Sequence, residues 1–123
     1  MISNWEVEYT DEFGCWWEGL EEKEQVSVAA SVKLLGQLGP GLRFPHSSDI
    51  KGSRHGNLRE LRIQHAGRPY RVLYVFDPRR CALLLLGGDK TGRGRWYEEH
   101  IPQAERLYDE HLETLLKEGR EHG

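Results

Sequence analysis

Arg62, Arg71 and Lys90 are cations separated by intervals that a hairpin and a following loop can bring together, while Glu60, Tyr97 and His55 can move a proton. Such a set suits RNA cleavage without a metal. The ribose 2′-hydroxyl attacks the neighbouring phosphorus, so a protein must hold the ribose in line, transfer protons and neutralise the charge building on the phosphate oxygens. Guanidinium and ammonium groups perform the last task directly. Arg71 is the leading candidate because it interrupts the apolar stretch Tyr70 to Phe76, where burial disfavours an unpaired charge. Its alternative role is an ion pair with Glu60 that fixes strand register. For proton transfer, His55 is a candidate because histidine as a residue type changes charge near neutrality, and a tyrosine beside several cations is expected to have a lowered pKa.

Lys51, Arg54, Arg59, Arg68, Arg93 and Arg95 are candidate phosphate contacts that position RNA, each equally readable as a solvated charge. His46, His65, His100 and His111 read as bystanders. A metal site is not expected, since no His and acid fall at ligand spacing, and no cofactor is implied. Cys15 and Cys81 match no metal or redox spacing and are expected to be free, mostly buried thiols. The glycine-rich stretch Gly87 to Gly94 lacks the G-x-x-x-x-G-K-[ST] order and has no helix starting at once, which argues against nucleotide hydrolysis.

The net charge of −3 is unpromising for a nucleic-acid protein, but its distribution is not even. From Arg43 to Trp96 there are twelve basic residues against four acidic ones, a local net of +8 that leaves −11 on the flanks. A basic centre is the footprint expected of a face that meets phosphates; solvation of exposed strands and loops is the plainer explanation. At 123 residues the chain is expected to form one domain over 1–123. No stretch is apolar enough for a membrane span and no signal peptide is apparent, so a cytoplasmic location is expected.

The elements that must position these groups follow from periodicity. Trp5, Val7 and Tyr9 alternate with Glu6 and Glu8 as a half-buried strand. Thr10 can cap a helix carrying Phe13, Trp16, Trp17 and Leu20, an aromatic stripe better suited to a core than to base stacking. A break is expected near Gly19, then a helix from Glu22 to Leu38 with Val28, Val32 and Leu35 on one face. Arg43 to Asn57 reads as a loop holding Ile50 inward. Leu58 to Gln64 and Tyr70 to Phe76 alternate as strands, with Glu60 and Arg62 on one face of the first and Arg71, Leu73 and Val75 on one face of the second. Ala82 to Leu86 is apolar throughout, a strand covered on both faces. Pro102 is placed where the last helix begins, and Ala104, Leu107, Tyr108, Leu112 and Leu115 form its apolar stripe. The order β-α-α-β-β-β-α describes an α+β fold, a small, mostly antiparallel sheet with helices on one face.

Leu58-Arg59-Glu60-Leu61-Arg62, then Tyr70-Arg71-Val72-Leu73-Tyr74, an apolar strand and Gly87-Gly88-Asp89-Lys90 together resemble the phage-derived HigB-type toxins of the RelE/ParE superfamily. The resemblance implies a RelE-like fold, with the sheet against two N-terminal helices and a C-terminal helix added. It further implies the toxin of a type II toxin-antitoxin system: a metal-independent, ribosome-associated mRNA endonuclease silenced by a cognate antitoxin of helix-turn-helix type. A tyrosine after the last-strand loop often aids catalysis in that superfamily, and Tyr97 stands in a similar place. Other members poison gyrase by binding, so a non-catalytic binding toxin, or a degenerate toxin-fold interaction protein, is the alternative on the same scaffold.

Overall fold

The computed structural model describes residues 4–122. Strand β1 (Val7–Tyr9) leads into helix α1 (Asp11–Glu18), whose start is fixed by Thr10. The Thr10 hydroxyl accepts from the Phe13 amide at 3.0 Å and donates to the Leu85 carbonyl at 2.6 Å, tying the cap to the sheet. Helix α2 (Glu22–Leu38) opens with a capping box in which the Glu24 carboxylate accepts from the Glu21 amide at 2.8 Å. It ends where Gly39 adopts a φ of 56°, and a Cβ there would lie 2.3 Å from the Trp5 indole.

Four further strands follow: β2 (Ser47–Asp49), β3 (Arg59–His65), β4 (Arg68–Phe76) and β5 (Ala82–Asp89). The sheet order is β1-β5-β4-β3-β2, antiparallel except for the parallel β1–β5 pair at one edge. Ala66 and Gly67, at φ values of 51° and 78°, join β3 to β4 as a two-residue turn matching the twist of the hairpin. The Asp77 side chain holds the next turn by accepting from the Arg79 and Cys81 amides at 2.9 and 3.1 Å.

Three expectations are corrected. The segment Arg43 to Asn57 contains β2, which has no apolar alternation because polar groups anchor it: buried Ser47 bonds the Tyr74 hydroxyl at 2.5 Å. Helices cover both faces of the sheet and not one. Phe13, Val28 and Leu35 pack under Leu61, Val72 and Leu84 on one side, while helix α3 (Trp96–His122) lays Trp96, Ala104 and Leu107 over Leu73, Val75 and Leu85 on the other. That second layer accounts for the unbroken apolar run of β5. Finally, α3 begins at Trp96, so Pro102 lies inside it; the proline lacks a donor for the Glu98 carbonyl, a gap the buried Trp96 anchor upstream outweighs. Among the described residues, no helix is long and apolar enough to cross a membrane.

Candidate functional site

Alternation on β3 turns Glu60 and Arg62 to the α3 face of the sheet, and alternation on β4 turns Arg71 the same way. Arg62 and Arg71 stand directly opposite one another in the antiparallel register. Like charges so placed repel, and the Glu60 carboxylate relieves the pair. Its Oε1 accepts from the Tyr97 hydroxyl at 2.6 Å and lies 3.4 Å from Arg71 Nε. Its Oε2 accepts from Ser48 Oγ at 2.7 Å and Arg62 Nη1 at 3.3 Å. Arg71, only 5% exposed, also donates through Nε to the Tyr97 oxygen at 3.3 Å and through Nη1 to the Tyr70 carbonyl at 3.0 Å. Lys90 completes the group, its Nζ 5.3 Å from the centre of the Tyr97 ring. Arg62 and Arg71 flank the Glu60 carboxylate and Lys90 stands over the ring of its partner Tyr97, so the group carries a formal charge of +2.

The backbone explains why Tyr97 arrives there. Gly88 lies opposite Arg71 on β5, and a Cβ at Gly88 would sit 2.8 Å from Trp96 Nε1. Bare backbone at this point lets the Trp96 indole seat against the sheet, 1% exposed, and delivers the next residue over Glu60. Lys90 is pinned as its amide donates to the Pro69 carbonyl at 3.0 Å. Glu60 and Tyr97 open into a pocket of about 330 Å³ with Asp49, Ile50, Lys51 and Ile101 on its walls.

Five of the six candidate catalytic residues therefore converge: Glu60, Arg62, Arg71, Lys90 and Tyr97. His55 does not join them. Its Nε2 lies 2.9 Å from Asp109 and its ring packs edge-on against Tyr108, strapping the β2–β3 loop to α3. The expectation for Tyr97 is reversed, since burial and the hydrogen bond to Glu60 raise its pKa, outweighing Arg71, and the group is a neutral phenol at physiological pH. The ion pair offered as an alternative role for Arg71 is present, and it coexists with the convergence of cations.

The candidate phosphate contacts fare differently. Arg59 is a strut for β2, bonded to the Tyr74 hydroxyl, the Leu42 carbonyl, Ser47 and Asp49. Arg54 pairs with Asp109, Arg68 with Glu24 and Asp89, Arg93 with Glu99 and Arg95 with Glu98. Acids of the flanks thus fold back on the basic centre, so much of its +8 is compensated locally. Lys51 stands on the pocket wall with no ion pair among the described residues.

Sequence reasoning missed Ser48, which lies in an aperiodic polar stretch and becomes visible only through the β2–β3 register. It also misjudged Cys15, which is exposed. Glu6, Glu8 and Cys81 place ligand-type atoms within 4.8 Å of one another. Glu8 is bound by Arg79, however, and burial, with the hydrogen bond to Glu6, pushes the Cys81 thiol up, which disfavours the thiolate a metal requires.

The family model described as "Phage derived protein Gp49-like" matches residues 15–109. A Mycobacterium tuberculosis protein named "Putative toxin HigB2" is 38% identical over 104 residues, which cover 83% of this chain and 52% of the relative. A second from the same organism, "Putative toxin HigB3", is 40% identical over 109 residues, covering 88% of this chain and 89% of the relative. The chain spans about half the length of the first of these.

Proposed function

The chain belongs to the Gp49-like family of phage-derived proteins, and from that premise we propose that it is the toxin of a toxin-antitoxin pair that cleaves mRNA at the Glu60 cluster. The observation carrying this reading is the convergence of Arg62 and Arg71 on the Glu60 carboxylate in the wall of a pocket, with Lys90 over the ring of the Tyr97 that bonds the same carboxylate. The names of the two relatives, both HigB toxins, support the toxin assignment.

Arg62 is the more exposed of the two guanidinium groups, its side chain 31% exposed against 6% for Arg71. A phosphodiester entering the pocket draws the Arg62 guanidinium away from Glu60 and onto a phosphate oxygen, while Arg71 and Lys90 hold the other oxygens. Relieved of one donor, Glu60 accepts the proton of the 2′-hydroxyl as its oxygen attacks phosphorus. The bond to the 5′-oxygen breaks, leaving a 2′,3′-cyclic phosphate on one fragment. The Tyr97 phenol, protonated at neutral pH, is the group placed to return a proton to the leaving oxygen. The ribosome is the setting in which such a site meets mRNA. The antitoxin, of helix-turn-helix type, silences it, and the cytoplasm is where this happens.

The test is expression without an antitoxin, followed by primer extension on a translated message. New 5′ ends within the coding region are expected alongside growth arrest. Intact message during full arrest would overturn the nuclease reading in favour of a toxin that acts by binding alone.

A further inference from the structure

Phe44 is the most exposed large apolar side chain among the described residues, at 70%. It sits in the segment between α2 and β2, flanked by Arg43 and His46, both exposed. One face of its ring is not free, since the Arg62 guanidinium carbon lies 5.1 Å from the ring centre. The other face is open to solvent. The same guanidinium reaches Glu60 through Nη1 at 3.3 Å, so Arg62 runs from the aromatic ring to the reacting centre.

The ring lies outside both cores, so it is free to be covered by a partner. Its neighbours specify the cover. The Arg62 guanidinium against the ring, with exposed Arg43 and His46 one and two positions away along the chain, suits a flat group with a phosphate attached and poorly suits an aliphatic patch of a protein.

We propose that the open face of Phe44 is a stacking platform for a base of single-stranded RNA, next to the nucleotide whose phosphate is cleaved. The inference rests on the nuclease reading above. The base lies on the ring, Arg62 backs the ring from behind, and Arg43 meets the adjoining phosphate. Stacking discriminates weakly between bases but strongly between a splayed single strand and a duplex, because paired bases present no free face.

The test uses the purified full chain and a non-cleavable 2′-deoxy oligonucleotide carrying 2-aminopurine, whose fluorescence is quenched when it stacks. The parent protein and Phe44→Trp should bind the probe and quench it. Phe44→Leu should bind about 10-fold to 100-fold more weakly without quenching, and on cleavable RNA should show a raised KM with kcat largely retained. Phe44 lies outside both cores, so all three proteins should melt alike. Binding and quenching by Phe44→Leu equal to the parent, with RNA still cleaved, would overturn the platform and leave the nuclease reading intact. The same holds if Phe44→Leu loses only its grip on an antitoxin, which would make the ring a protein contact. Binding and quenching by the parent without cleavage of any RNA would support the platform and remove the nuclease. No binding at all by the parent would overturn the platform, and the nuclease reading would then rest on primer extension with a translated message alone.

Discussion

Arg62 and Arg71 face one another across adjacent strands, in register, with the Glu60 carboxylate as their shared counter-ion. Pairing one of them with a carboxylate directly opposite would stabilise a sheet more than two like charges in register. One carboxylate between two guanidiniums leaves an excess of donors, which a bound phosphate can satisfy.

Arg71→Ala is expected to abolish cleavage and toxicity, whereas Arg93→Ala only attenuates them. Arg71 is held by a strand, Glu60 and Tyr97, while Arg93 pairs with Glu99 at the surface. Loss of one preorganised donor lowers the rate on the order of 100-fold to 1,000-fold. Loss of a loop contact shifts affinity and its salt dependence. Breaking a buried pair can also destabilise by about 3–5 kcal/mol, so Arg71→Lys, which keeps the charge and loses the fork, serves as the folded control. Equal loss of toxicity in folded Arg71→Lys and Arg93→Ala would reduce Arg71 to an ordinary phosphate contact.

Tyr97→Phe removes the phenolic proton given to Glu60 and leaves the ring beneath Lys90. Its cleavage rate should fall by about 100-fold, the lower range for general acid-base groups. Urea denaturation should show a loss of only about 1–2 kcal/mol. A variant as fast as the parent would exclude the phenol from proton transfer.

Gly88→Ala should impair cleavage without touching any charged residue. The added methyl meets the Trp96 indole, and the strain of about 1–3 kcal/mol from overpacking is relieved by moving the start of α3, and Tyr97 with it. Gly94→Ala is the comparison, since a Cβ there meets nothing within 4 Å. Crystal structures of both variants, with rates on the same RNA, would decide whether Gly88 positions the phenol.

Stability should decline at alkaline pH through Tyr70. Burial, then its hydrogen bond to Glu24, pushes its pKa up to about 12. A phenol whose folded pKa lies above the unfolded value contributes stability that is intact below pH 10 and is lost as pH rises toward 12. Tyr97 adds to the same trend. Between pH 8 and pH 11 the parent should therefore lose on the order of 1 kcal/mol more than Tyr70→Phe in urea titrations. Identical slopes would show that Tyr70 ionises as readily folded as unfolded.

The strand alternation of Leu58–Gln64 and Tyr70–Phe76 was enough to place Glu60, Arg62 and Arg71 on one face, because a period of two allows no other choice once Leu61 and Val72 are buried. Helix α2 was equally legible from Val28, Val32 and Leu35. Strand β2 was not, since Ser47 and Arg59 hold it through polar contacts that leave no hydrophobic pattern. The pairing of basic residues with Glu24, Glu98, Glu99 and Asp109 was hidden for another reason: charge counts along a chain cannot tell which acids return in space. The raised pKa of Tyr97 depends first on how deeply α3 buries it and then on the hydrogen bond to Glu60, which together outweigh the effect expected from nearby cations.

The parallel pairing of β1 with β5 also sets a timetable. Val7 lines up with Ala82, and the Thr10 hydroxyl bonds a carbonyl 75 positions further along. During synthesis at about 5–20 residues per second, the first strand therefore waits roughly 4–15 s for its neighbour to be made. Tyr97 comes later still, after Gly88 has provided the seat for Trp96. A growing chain can close the β3–β4 hairpin early, yet the five-residue cluster is assembled last. Whatever this cluster does, a nascent chain is spared it until translation has passed α1, α2 and the whole sheet.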